Sequence, residues 1–575
     1  MNVIKAEISK ASSESRLVEY LTEVKPDNLD EVVEVLVELN NNGTLNLVEN
    51  MMEADISIAH QFFWVCYIFE KALPKLQSHE LKTIKCILHL LEHAGEDLAA
   101  GQIVTAYEAY CAVDGDRAKS ALRFILVDNS LSSLLAPTLV SGSIVDCDYF
   151  WNKTKNLINN DSTIVRANAI RALGRIIYPE NNDLILKSFQ LIEHHAKQEK
   201  DDSCLANILD AIQHLSKHSV VSDLRVTEAF KQALSLKGEL TLHAAAELIN
   251  YQYKSLPKAA VSLMLDSFKS IPLKNTGTFR HVDFGLSKII CDDSFYNESV
   301  TLLEVLISNA DDSFSFDRVF QHTSRVLLND SGAFFTSLMT KWFLTANRRY
   351  CTSIQQIIAS GIYNNKYLIN TLDCDGLNEV DYVFLARKAI GYLFMHPVTA
   401  TGYILALVIR TSSDHCKMTL MSLVYEMLQL NYPGEVGNYL RTQTEPKKIK
   451  IACDQILMWS ENYFKNIREM EHLPELLPSQ AHREAYDRNF SSKMRVSMKS
   501  AESESTFLSM VSKSIILYGR KSIDYFHVGE GTTTRRTECH LQRHETGIEV
   551  PRQTLIDPVG LDYMLRVFRN EYKIL

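Results

Sequence analysis

The stretch DSTIVRANAIRALGRII, Asp161 to Ile177, decides the fold class. Val165, Ala169, Ala172, Leu173 and Ile176 recur at three- and four-residue steps, which predicts one apolar stripe along a single helix. The stripe mixes alanine with larger residues, so a neighbouring helix can approach closely. Such a face needs a partner.

The chain supplies echoes of it. DRAKSALRFIL repeats the AxxAL spacing with Ala118, Ala121 and Leu122, and LARKAIGYLF with Ala386, Ala389 and Ile390, Gly391 standing where Gly174 stood. In DDSCLANILDAIQHL, Ala206 and Asn207 follow Ala167 and Asn168 by 39 residues, and the alanine-rich TLHAAAELINY lies a similar distance further on. Ordinary amphipathic segments lie between, separated by the polar breaks YPENND, KQEKDDS, SLKGE and SNADDS. Helix, short turn and helix recurring at about 35 to 50 residues mark stacked helix pairs, each covering the apolar face of the last.

DSTIVRANAIRALG resembles the second helix of a HEAT repeat, matching its pattern at Asp161, Val165, Arg166, Ala169, Ala172, Leu173 and Gly174. The resemblance implies an α-solenoid of about ten to twelve helix pairs over most of residues 1–470. It also implies a polar ladder between successive repeats, carried here by Asp161 and Arg166. The next unit has Leu205 at the arginine position, so the ladder is expected for one unit only.

Bulk composition agrees with a helical reading. Only 21 glycines and 13 prolines occur in 575 residues, and both residues disrupt helix interiors. A net charge of −10 argues against a protein that coats nucleic acid along its whole length. Eleven cysteines without a CxxC pair suit reduced thiols and a cytoplasmic location. The N-terminal MNVIKAEISKASSESRLVEY has no apolar core of a secretory signal. Ile390 to Ile409 is long enough to cross a bilayer and carries no formal charge. His396, Pro397, Thr399 and Thr401 at its centre instead predict two buried helices meeting at a turn, and no membrane partner.

After Pro474 and Pro478 the texture changes. Residues 471–507, serine-rich and mixed in charge, read as a linker or connecting segment. In 508–575 the runs SIILYG, SIDYFHV and TTTRRTECHLQ read as short strands, and DPVGLDYMLRVFRNEYKIL as a helix opened by Asp557 and Pro558. The expected fold is therefore mainly α: a HEAT-like α-solenoid of stacked helix pairs over 1–470 with a small C-terminal α+β module.

Residues 481–575 carry 15 Lys or Arg against 12 Asp or Glu, and the remainder 45 against 58. Arg535, Arg536 and Arg543, near His540 and His544, are the candidates for binding a partner or phosphate, since a guanidinium fork suits carboxylate and phosphate. Positions 535 and 543 share parity along an extended chain and 536 does not. The plainer reading of these arginines is a solvated strand face. Cys539, His540 and His544 offer at most three ligands with no second close pair, so no metal site is expected. Asp373, Asp375 and Gly376 imitate part of a calcium loop, but Thr371 and Tyr382 stand where carboxylates are needed. GRKS at 519–522 lacks the first glycine of a phosphate loop, Ser514 standing there. No catalytic residue and no cofactor is assigned. The function expected is a non-enzymatic scaffold or adaptor whose helical-repeat surface binds protein partners. One alternative is a nucleic-acid-binding subunit of a prokaryotic defence or genome-maintenance complex. Another is an enzyme with its site in the C-terminal module.

Overall fold

The computed structural model describes the chain apart from residues 1, 15, 54–58, 96–99, 180–181, 219, 273, 330–332, 362–375, 471–472, 474–477, 505–520, 528–533, 541–548 and 573–575. The chain divides into two compact units, Met1–Phe335 and Thr336–Leu575.

In the first unit the opening stretch forms helix α1 (Thr163–Arg175). It is followed by α2 (Asn182–Gln198), α3 (Asp202–Ser216), α4 (Asp223–Ala233), α5 (Glu239–Gln252), α6 (Lys258–Phe268) and α7 (Thr276–Ile289). Helices α1, α3, α5 and α7 pack in series as one layer, and α2, α4 and α6 in series as another. The starts of the first-layer helices recur at 37 to 39 residues, the spacing of the sequence echoes. This is a generic helical-repeat arrangement of stacked helix pairs.

The predicted stripe is the buried one: Val165, Ala169, Ala172, Leu173 and Ile176 all lie in the interior. Burying Leu173 and Ile176 stabilises the stack by about 1.5–3 kcal/mol each. The alanines and glycines set how close the layers come. A methyl group on Gly174 would overlap the Ala211 backbone on α3, and one on Gly285 of α7 would come within 2.7 Å of Ile249 Cγ2 on α5. These seams depend on small residues.

Successive repeats are also joined end to end. The Asp202 carboxylate on α3 accepts from the backbone N–H groups of Leu240 (2.7 Å) and Thr241 (3.1 Å) at the start of α5. Asp283, in the middle of α7 and only 3% exposed, does the same for His322 and Thr323, both at 2.9 Å, at the start of the helix Gln321–Asn329. Each carboxylate satisfies helix N-terminal donors that have no partner within their own helix.

One half-buried acid in this unit gives a pH signature. Burial pushes Glu70, on the helix Ala59–Ala72, up to about 7. The folded state thus favours the protonated form, so stability present below the unfolded carboxyl range is lost as pH rises through about 7. Glu70→Gln is expected to gain about 1–2 kcal/mol at pH ~8, after screening at this half-buried site, and nothing at pH ~4. Thermal melts of both proteins across that range check it.

In the second unit the charge-free run resolves into two helices, α8 (Glu379–Leu393) and α9 (Pro397–Arg410). Pro397 opens α9 at its first position, where a missing N–H costs nothing. Both helices are buried almost all round. Among the described residues no helix is long and apolar enough to cross a membrane. Within 471–507 the structure places a 25-residue helix, Gln480–Glu504.

The expected C-terminal α+β module is corrected. The described strands β1 (Lys521–His527) and β2 (Thr534–His540) form one antiparallel ladder, Lys521 opposite His540 and His527 opposite Thr534, with no third strand among the described residues. The closing helix α10 (Pro558–Asn570) packs on α8 instead of on a sheet. The physical reason lies in its stripe. Leu561, Leu565 and Phe568 are buried, and a two-stranded hairpin offers too little surface to cover them. Helix α8 offers more: Gly391 lets Phe568 and Arg569 approach so closely that a Cβ there would lie 3.2 Å from both. Lys388 Nζ, fully buried, donates to the Arg569 carbonyl at 2.8 Å, and Arg569 Nε donates to the Gly391 carbonyl at 2.6 Å. Arg387 pairs with Glu571 at 2.9 Å. Upstream, buried Asn431 accepts from Gln553 N–H at 2.9 Å, and the Glu549 carboxylate accepts from Gly434 and Glu435 N–H groups at 2.8 and 2.6 Å. The C-terminal residues are thereby stitched into the helical stack. The helix start expected at Asp557 holds: its carboxylate caps α10 through the Gly560 N–H at 2.9 Å.

Candidate functional site

The solvent-facing sides of α1, α3, α5 and α7 carry a row of ionisable side chains, bridged from α1 to α3 and again from α5 to α7. Apart from this row, at the N-terminal end of α1, Arg166 reaches to Glu199 in the turn before α3, with Nε–Oε2 at 3.1 Å and Nη2–Oε1 at 3.4 Å. Its Nη1 donates to the carbonyls of Asn160 and Asp161, both at 3.0 Å. Asp161 therefore meets Arg166 through its backbone, and the carboxylate that Arg166 pairs with is Glu199. Burial raises the Glu199 carboxyl, but the Asp201 N–H and Arg166 outweigh it and hold the group below its ordinary value.

In the row itself, Arg175 on α1 makes a bidentate pair with Asp210 on α3, both contacts at 2.9 Å, and His214 lies 3.7 Å from the same carboxylate. Burial lowers the His214 pKa, and Asp210 partly offsets that. A cleft of about 390 Å³ opens beside Arg171 and Arg175, with Thr105 and Glu108 on its other wall. Burial raises Glu108 against the pull of both arginines.

On α5 and α7 the row changes character. His243 and Glu247 stand one turn apart on α5, and His281 faces them from α7. Each imidazole Nε2 lies 3.9 Å from Glu247 Oε1, and the two rings meet edge to face at 5.1 Å. Tyr251 projects beside them, 67% exposed, with Lys288 Nζ 5.7 Å from its ring centre. Lys288 also donates to Asn250 Oδ1 at 2.8 Å, tying α7 back to α5. Chemically the row offers guanidinium, imidazole, carboxylate and phenol groups already held in place by their neighbours.

The other sequence-derived candidates fall elsewhere. Arg535 and Arg536 occupy adjacent positions of β2, opposite Phe526 and Tyr525, and His540 stands opposite Lys521. Arg543 and His544 lie outside the described residues, as do Asp373 and Asp375 of the calcium-loop imitation. Sequence reading missed the histidine cluster. Its local trace is a His and a Glu four apart in TLHAAAELINY, but His281 arrives only with the next repeat.

No family model matches this chain, and no curated protein does either. A solved structure described as "Crystal Structure of Engineered Protein" is similar to it at 12% identity, covering 75% of this chain and 99% of its own, with a TM-score of 0.22. At that score the likeness carries no inference. Fold and surface together define the class: a helical-repeat protein whose stacked helix pairs present a polar row.

Proposed function

We propose that this chain is a non-enzymatic scaffold or adaptor of a multi-subunit complex, docking a protein partner on the row along α1, α3, α5 and α7. The observation that carries the reading is Tyr251, a large aromatic left exposed among Lys288, Arg280 and the histidines on a stacked, rigid surface. Exposed tyrosine and arginine on a preorganised face are the residue types on which binding energy concentrates. The HEAT-type assignment belongs to the same proposal, supported by Gly174 at its close approach and by Arg166 bridging toward the next repeat. On this reading residues 1–470 are the repeat region, 471–507 connects them to the closing residues, and the protein works in the cytoplasm. The free cysteines among the described residues, most of them buried, support that location. Arg535, Arg536, Arg543, His540 and His544 are proposed as a second contact.

The test uses two double variants, Arg171→Glu with Tyr251→Ala and Arg535→Glu with Arg543→Glu. The first is expected to lose a stoichiometrically co-purified partner by at least about tenfold in affinity. Retention at the wild-type level in both variants contradicts the reading. A salt titration of nucleic-acid binding runs beside it. A shallower salt slope in the second variant, with the protein partner retained, moves the function to nucleic acid.

A further inference from the structure

We propose that His243, Glu247 and His281 form a binding site for a divalent cation of the zinc(II) class, bridging α5 and α7. The three candidate ligand atoms, two imidazole nitrogens and one carboxylate oxygen, lie within 4.8 Å of one another. Ligands about 2.0–2.1 Å from a tetrahedral ion stand about 3.3 Å apart, so each 3.9 Å separation closes by roughly half an ångström of side-chain rotation. His243 and Glu247 are held at helical i, i+4 spacing, and the small-residue seam at Gly285 keeps α7 close enough for His281 to complete the set. Two histidines and a glutamate are a zinc donor set, and three protein ligands leave a fourth position open to water.

The groups behind the ligands strengthen the case. His243 Nδ1 lies 3.1 Å from the hydroxyl of Thr278, itself 2% exposed, which orients Nε2 toward Glu247. His281 Nδ1 lies 3.3 Å from Asn250 Nδ2, and Asn250 is 5% exposed. In that arrangement the amide donates to Nδ1, and the Nε2 proton points at Glu247. Metal binding at Nε2 requires the proton on Nδ1, with Asn250 turned so that Oδ1 accepts it. Lys288 keeps a partner throughout, because it also donates to the Asn250 backbone carbonyl. Asn250 is thus a positioning residue, and a carboxylate in its place should favour the metal-bound tautomer.

The inference stands apart from partner docking, since metal binding is read on the free chain. Full-length protein stripped by chelator is titrated with zinc(II) against a chromophoric competitor, and with cobalt(II) for its absorption spectrum. One equivalent of zinc is expected, and cobalt should give a tetrahedral band without thiolate charge transfer. His281→Ala should weaken binding at least about 100-fold with helical content unchanged, and Asn250→Asp should tighten it about tenfold. Equal affinity and stoichiometry in wild type and His281→Ala, or no bound equivalent in wild type, overturns the proposal.

Discussion

Ala172→Asp is expected to destabilise the first unit by about 3–5 kcal/mol, because it places an unpaired carboxylate where no water reaches. Ala172 is fully buried on α1, in the stripe between the preceding helix Leu135–Val145 and α3. No basic group sits on that stripe; Arg171 and Arg175 face the solvent side of the same helix. Repeats couple to their neighbours, so the damage should be local. Hydrogen exchange should show protection lost in Leu135–Val145, α1 and α3 and retained in α7. Unchanged protection from about residue 135 to residue 216 would show that Ala172 does not lie in the seam. Ala172→Gly, which removes only a methyl group, should cost far less and serves as the control.

Lys388→Ala should cost the second unit about 2–4 kcal/mol and loosen α10 first. The substitution leaves the Arg569 carbonyl without its donor and opens a cavity under Phe384, whose ring centre lies 5.2 Å from Nζ. Burial lowers the Lys388 pKa, with Cys351 and Glu571 partly opposing it. The charge itself is therefore costly, and Lys388→Met, keeping most of the volume without the ammonium, should lose less than Lys388→Ala. Limited proteolysis reads the outcome. Cleavage between residues 549 and 572 should rise steeply in Lys388→Ala and modestly in Lys388→Met. Equal resistance in all three proteins would mean that the lysine does not hold the terminal helix.

The features legible in the sequence were those written within one helix. The stripe from Val165 to Ile176, the break at Pro397 and the Asp557 cap each depend on residues a few positions apart, and each holds in the structure. What escaped depends on distance along the chain. The roles of Asp202 and Asp283 are invisible locally, because the helix N-terminal N–H groups they accept from lie 38 to 40 residues later, in the next repeat. Gly391 read as an echo of Gly174, and it is a close-approach glycine. The helix it admits, however, comes from 178 residues further along, which no local pattern foretells. The C-terminal runs did contain a strand pair, but strand-like patterning could not say that α10 would prefer the α8 groove. The row on α1, α3, α5 and α7 escaped for the same reason. Its members are spread two or three per repeat, and only stacking collects them.

The proposed docking role of this row makes a prediction for each of its side chains. Hydroxyl-radical footprinting of the co-purified complex against the free chain tests it most directly, because it reads individual side chains. Tyr251, His243 and His281 should be oxidised several-fold more slowly in the complex, while exposed Tyr486 on the Gln480–Glu504 helix is unchanged. Equal oxidation of Tyr251 and both histidines in the free and bound states would contradict it.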